Sequence, residues 1–411
     1  MKTKLFTRNF TFLILGQISS LFGNYTLRFA MSMYVLEQTG SASIFAGLLA
    51  LSMLPTILLS PLGGILADRA NRRNIMVILD VSSGIAVLIG CTVFWGGYDL
   101  VGIGLLLILL SVLGAFESPT VQACIPTMLS EENIVKGNAA VNQVSAIASL
   151  VTPFLGSVLY TTFGILPIFY GTMVCFFLTA GFECFIRLNF RKPDDRTGVW
   201  AIIREDFKVS MRFIGKEQTG ILKLLLLAAL VSLFVAGTLV VGFPYLVRTV
   251  LGLSTGYYGA AESAMGVAAI LGGVIVGIWA KKIRLRDMFI IFCVFGICLI
   301  LSGVAFLIPI GVAGRYIALL IFFCLCQFGC SIFSTYAISF IQARTPESLM
   351  GKVMSYVFTL SMCAQPLGQM IYGVLFDLFS KNVYGVLLPS GMIVVCIGMA
   401  SRKFFRTFEE T

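Results

Sequence analysis

Histidine is absent from all 411 residues, which removes the commonest metal ligand and the one side chain that titrates near neutral pH unaided. Proton chemistry then falls to carboxylates, and these are scarce: only 12% of residues are charged, and 19 are Asp or Glu. Neither H-E-x-x-H nor G-x-x-x-x-G-K-[ST] occurs, so the chain encodes neither a zinc peptidase nor a phosphate-cradling ATP site of its own. With no soluble catalytic stretch and no nucleophile and base set, an enzyme is not expected, and neither is a cofactor. Ion gradients are the energy source that remains. Paired cysteine spacings are missing too. The 11 cysteines, among them Cys91, Cys175, Cys293, Cys324, Cys326 and Cys330, are scattered through apolar segments and read as small packing residues.

What the chain has in excess is apolar surface. Hydrophobic residues make up 58% of it, and the mean hydropathy is +0.97, beyond what a water-soluble domain carries. Runs long enough to cross about 30 Å of hydrocarbon, roughly 20 residues each, recur along the whole sequence. They fall at 10–36, 44–67, 74–95, 101–123, 138–161, 165–187, 220–247, 256–280, 288–309, 316–341, 352–377 and 384–401. The first run is too long for a signal-peptide core and is expected to be retained as helix one.

Net charge is +10, but the basic residues sit in the short breaks between runs rather than in one patch, so nucleic acid is not an expected partner. With the N-terminus inside, the inner breaks collect Arg69, Arg72, Arg73, Lys136, Arg191, Lys192, Lys281, Lys282, Arg344 and Lys352. The outer ones keep Arg248, Arg315 and Lys381. That asymmetry predicts both termini in the cytoplasm.

The longest polar interval lies almost halfway. Within it Trp200, Ile203, Phe207, Met211 and Ile214 recur at helical spacing, opposite Arg204, Lys208 and Arg212, which suits a helix lying on the membrane surface. The flanking halves echo one another. PLGGILADRANRR (Pro61 to Arg73) matches LGGVIVGIWAKKIRLR (Leu271 to Arg286) in its glycine pair and basic turn. Ser130 to Gly156 is echoed by Thr345 to Gly368. The expectation is an all-α membrane protein of twelve transmembrane helices in two pseudo-symmetric six-helix bundles. Residues 1–187 form the first, 188–219 a cytoplasmic linker and 220–411 the second, as in carriers that rock two repeats around a midplane site.

At Gly64-Ile-Leu-Ala-Asp68-Arg69-Ala-Asn-Arg72-Arg73, between the second and third spans, the chain resembles the signature loop of the major facilitator superfamily. Gly16 to Ala42, the Glu117-Ser118-Pro119 turn, Pro126 to Glu132 and Glu262 are similar to the drug:proton antiporter branch that contains macrolide-efflux and enterobactin-exporter proteins. The resemblance implies the major facilitator fold and proton-driven export of amphipathic compounds from a bacterial inner membrane. It also implies a loop, Gly64, Asp68, Arg69, Arg72 and Arg73, that biases conformation and does not touch solute. Bacterial lysophospholipid transporters are similar as well, and a sensor built on a carrier fold is the alternative from another class. Two departures stand out. Leu109-Leu110-Ser111-Val112-Leu113-Gly114 replaces the helix-four arginine of many proton antiporters, and helix five has only Thr152-Pro153-Phe154-Leu155-Gly156 in place of their fuller Gly-Pro kink motif.

An ionisable side chain inside a span is costly and marks a cavity or a partner. Gln17, Ser20, Asn24 and Arg28 repeat at three or four residues along helix one and form one face, predicted to line the central cavity. Arg28 is a candidate substrate contact, with a structural ion pair or snorkelling toward the outer interface, nine residues on at Glu37, as the alternative. Glu117 and Glu262 are candidate proton carriers, with hydrogen-bonded packing as the alternative for each. Asp80, near the basic turn, is expected to pair with Arg72 or Arg73 as part of the conformational gate. The amides Asn142, Gln327, Gln365 and Gln369 complete the substrate-binding candidates, or else serve as interhelical glue. Expected partners are a small amphipathic solute, protons and lipid, with the chain acting as a monomer.

Overall fold

The computed structural model describes residues 5–96, 99–188, 219–279, 285–346 and 350–409. Among them are twelve long helices and no strand. They are α1 (Arg8–Thr39), α2 (Ala42–Arg69), α3 (Arg72–Trp95), α4 (Asp99–Met128), α5 (Glu131–Phe163) and α6 (Ile165–Cys184). After the linker come α7, α8 (Thr255–Trp279), α9 (Met288–Leu307), α10 (Gly311–Arg344), α11 (Met350–Leu378) and α12 (Tyr384–Glu409). The helix α7 starts as Thr219–Val235 and runs on through π-helical Ala236–Gly242 and Leu246–Val250 on either side of Phe243–Tyr245. The amphipathic stretch from Trp200 to Ile214 lies outside the described residues.

Ten of the twelve are long and apolar enough to cross a membrane. The exceptions, α1 and α11, have the length, at 32 and 29 residues. They also carry Gln17, Asn24 and Arg28, and Gln365 and Gln369, so polarity and not length sets them apart. Large apolar side chains such as Leu58, Ile78, Leu105, Ile278 and Leu378 are exposed on many helices. A surface of that kind is matched by lipid and not by water.

The chain divides into two compact units: unit 1 is Met1–Val35 with Leu51–Trp200, and unit 2 is Leu36–Ala50 with Ala201–Thr411. The end of α1 and the first turns of α2 therefore pack with the second unit. There the Asp377 carboxylate of α11 accepts from the Ser41 hydroxyl at 2.6 Å and from the N–H groups of Ala42 at 2.7 Å and Ser43 at 2.9 Å. These N–H groups open α2 and have no carbonyl within the helix to bond. Glu37 forms an ion pair with Arg248 of α7.

The sequence repeat is legible in the packing of each unit. A Cβ on Gly63 of α2 would stand 2.5 Å from the Ala115 carbonyl oxygen of α4, and one on Gly272 of α8 would stand 2.6 Å from the Phe328 oxygen of α10. Only glycine permits these backbone approaches. The second glycine of each pair behaves differently: Gly64 faces open space, and Gly273 meets only Ser331 at 3.8 Å. The outer pairs repeat as well, α3 packing on α6 and α9 on α12. Glu117-Ser118-Pro119, expected as a turn, is instead part of continuous α4. Pro119 has no N–H for the carbonyl of Ala115 four residues back. That carbonyl is the one Gly63 packs against.

Candidate functional site

In unit 1, a cavity of about 440 Å³ opens between α1, α2, α4 and α5. The predicted α1 face lines it, with Gln17, Ser20, Asn24 and Arg28 all present, and Glu117 and Asn142 join them. Six residues read from the sequence thus meet in one chamber, together with Tyr25 of α1 and with Thr56, Ser111, Gln122, Asn138 and Ser145 of α2, α4 and α5, which the sequence reading had not named as site residues. The signal for α5 was available: Asn138, Asn142 and Ser145 fall at helical spacing on one face.

Arg28 is held within the unit. Its Nε donates to Asn24 Oδ1 at 3.1 Å, and its Nη2 donates to Ser111 Oγ at 3.0 Å. Arg28 of α1 thus delivers a guanidinium to Ser111 of α4.

Below the cavity, Ser20 Oγ lies 3.3 Å from Glu117 Oε1 and 3.5 Å from Asp80 Oδ1. Asp80 is fully buried and does not pair with Arg72 or Arg73, contrary to expectation. Its neighbour is Glu183 of α6, also buried and not anticipated. Arg72 instead donates to the carbonyl oxygens of Ala67 at 2.8 Å and Ala123 at 2.9 Å, and Arg73 to that of Cys184 at 2.7 Å. Guanidinium groups over the last carbonyls of α2 and α6 suit the negative ends of those helices. These carbonyl contacts occupy the two guanidinium groups in place of the expected pairing. Gly64 and Arg69 lie on the last turns of α2, and the Asp68 side chain lies outside the described residues.

A model of the Major Facilitator Superfamily matches residues 13–369. The chain belongs to that superfamily. It is therefore a multi-pass membrane transporter, and not an enzyme. Macrolide efflux protein A of Streptococcus pyogenes is 24% identical over 398 residues, covering 93% of each chain. Multidrug efflux pump Tap of Mycobacterium tuberculosis is 23% identical over 385 residues, covering 89% of this chain and 86% of that one. In fold, the chain resembles a bacterial homologue of the iron transporter ferroportin in its inward-facing state, with a TM-score of 0.74 at 16% identity over 98% of this chain and 99% of that one. It resembles the nucleoside transporter NupG equally, at 0.74 and 10% identity with the same coverage.

In unit 2 of this facilitator, Glu262 of α8 sits beside Tyr258 one turn earlier, and its Oε2 is buried without a hydrogen-bond partner. Gln365 lines a second, more apolar cavity of about 280 Å³ with Ser232, Phe333 and Met362. Gln327 is half-buried and Gln369 buried. Neither lines either of these two cavities.

Proposed function

We propose that this transporter exports amphipathic small molecules in exchange for protons by alternating access, from a bacterial inner membrane with both termini in the cytoplasm, and that it acts as a monomer. The supporting observation is the unit 1 chamber, where a fixed guanidinium and a carboxyl group share a wall that is otherwise apolar or uncharged. Chambers with few directional groups suit varied ligands. Arg28 would orient an anionic or zwitterionic part of the solute, with Gln17, Asn24, Asn142, Gln327, Gln365 and Gln369 as further candidate contacts. Glu117 and Glu262 would carry protons. Gly64, Asp68, Arg69, Arg72 and Arg73 would bias conformation. The names of the macrolide and multidrug efflux relatives support the direction and the solute class.

The test is transport into proteoliposomes of erythromycin, a catecholate siderophore and a lysophospholipid, each with and without an imposed pH gradient. Uphill accumulation of erythromycin or the siderophore that collapses with the gradient is the expected result. Accumulation of the lysophospholipid alone would assign the lipid-transport alternative. Lack of counterflow for all three would overturn the exporter assignment.

A further inference from the structure

The inner part of unit 1 holds three carboxyl groups on three helices: Asp80 on α3, Glu117 on α4 and Glu183 on α6. Asp80 has no exposed surface and Glu183 is 1% exposed. No donor among the described residues reaches either oxygen of Glu183 or Oδ2 of Asp80. The two side chains nevertheless lie beside each other, close enough to share a hydrogen bond. Two adjacent ionised carboxylates in an apolar interior would repel and leave buried acceptors unsatisfied. A proton on one of them removes the repulsion and lets one carboxyl donate to the other.

We propose that Glu117, Ser20, Asp80 and Glu183 form a proton-holding chain running from the solute cavity to the far end of α6, with one proton shared between Asp80 and Glu183. This deepens the proton-exchange reading and rests on it for its role in transport. The hydrogen count follows from the geometry. Joining the four groups in a line takes three hydrogens. A serine hydroxyl supplies one and can accept two more bonds. The remaining two must be protons taken from water, so the three carboxyls together carry one negative charge when the chain is complete.

The line also has a direction. Glu117 and Ser20 line the cavity, whereas Asp80 and Glu183 do not. Glu183 precedes exposed Cys184, at the end of the unit where Asn9 of α1 and Arg187 exchange hydrogen bonds of 2.8 and 3.2 Å. A proton accepted by Glu117 can pass to Ser20 Oγ while the Ser20 proton passes to Asp80, and Asp80 releases its own to Glu183. One proton enters at the cavity, one leaves at the α6 end, and no heavy atom is exchanged.

The other titratable or charged groups facing this line are Tyr25 and Arg28 on α1, Arg72 and Arg73 on α3, and Cys124 on α4. Arg28 is tied to Asn24 and Ser111, and Arg73 to the Cys184 carbonyl. Arg72 engages the Ala67 and Ala123 carbonyls.

Infrared difference spectroscopy of the full chain in lipid nanodiscs, stepped from neutral to alkaline pH with no solute present, reads this directly. The expected result is a protonated-carboxyl C=O band at neutral pH that bleaches on alkalinisation and falls by about half in Glu183→Gln and in Asp80→Asn. Ser20→Ala should keep the band and slow its bleaching. Both amide substitutions preserve shape, and a native-like melting temperature shows that each variant is folded. A band absent from the wild type, or unchanged in both amide variants, overturns the proposal. So does a carboxylate signal that responds to sodium in place of protons. The outcome is separable from the function test: a titrating band without pH-driven transport retains the site and rejects its coupling role.

Discussion

Replacing Asp377 with alanine should release the start of α2 from α11. Three short hydrogen bonds converge on this carboxylate, from the Ser41 hydroxyl and from the first N–H groups of α2. Loss of such a cap costs about 1 kcal/mol, and loss of the negative charge at a helix N-terminus adds roughly 0.3–1 kcal/mol. The sum, about 2 kcal/mol, corresponds to roughly a 30-fold shift toward the released state. The contact surface below is close-packed: a Cβ on Gly373 would stand 2.6 Å from that of Ala46, so α2 is seated directly on α11. Hydrogen exchange of the amides in residues 42–46 measures the effect. Asp377→Ala should exchange about 30-fold faster there, with Asp377→Asn intermediate because an amide oxygen replaces only part of the acceptor set. The core of α11 should be unchanged. Unaltered protection at 42–46 in Asp377→Ala would refute the reasoning.

Other outcomes follow from the same packing. Gly63→Ala forces a methyl against the Ala115 carbonyl and should cost about 1–3 kcal/mol, seen as a lower melting temperature, whereas Gly64→Ala enters open space and should melt no lower than wild type. A transport defect in Gly64→Ala would then report on conformational bias and not on folding. Arg28→Ala removes a charged donor worth about 1.5–3 kcal/mol to an anionic solute, so the Kd of such a solute should rise roughly tenfold to a hundredfold by equilibrium binding. Uncharged solutes should bind almost as before. All 11 cysteines are free thiols, so a reducing agent should leave the melting temperature unchanged.

Composition and the repeated hydrophobic runs were sufficient to read twelve helices and a duplicated plan, because each run had to satisfy its own backbone in lipid. The glycine pairs of α2 and α8 could be aligned in sequence for the same reason that they pack alike: each lets a helix touch a neighbouring backbone. The polar face of α1 was legible because Gln17, Asn24 and Arg28 recur at helical spacing. Periodicity reports which way a residue faces on its own helix, and is silent about the helix it meets. Asp80 was therefore assigned to the nearby arginines, when its actual neighbours come from α1 and α6. Glu183, near the end of the apolar run at 165–187, was not singled out in the sequence. Gln327 and Gln369 show the converse, as polar positions that line neither of the two cavities described above. The π-helical turns of α7 had no sequence signal beyond Gly237 and Gly242, which make room for the rings of Tyr372 and Phe376.

The most direct test of proton-coupled export through the unit 1 chamber compares Glu117→Gln and Glu262→Gln in proteoliposomes, each assayed for pH-driven accumulation and for solute exchange without a gradient. The account predicts that Glu117→Gln keeps exchange and loses uphill accumulation, and that Glu262→Gln does the same if α8 contributes a second carrier. If both variants concentrate solute as the wild type does, the assignment of these carboxyls to proton coupling is contradicted.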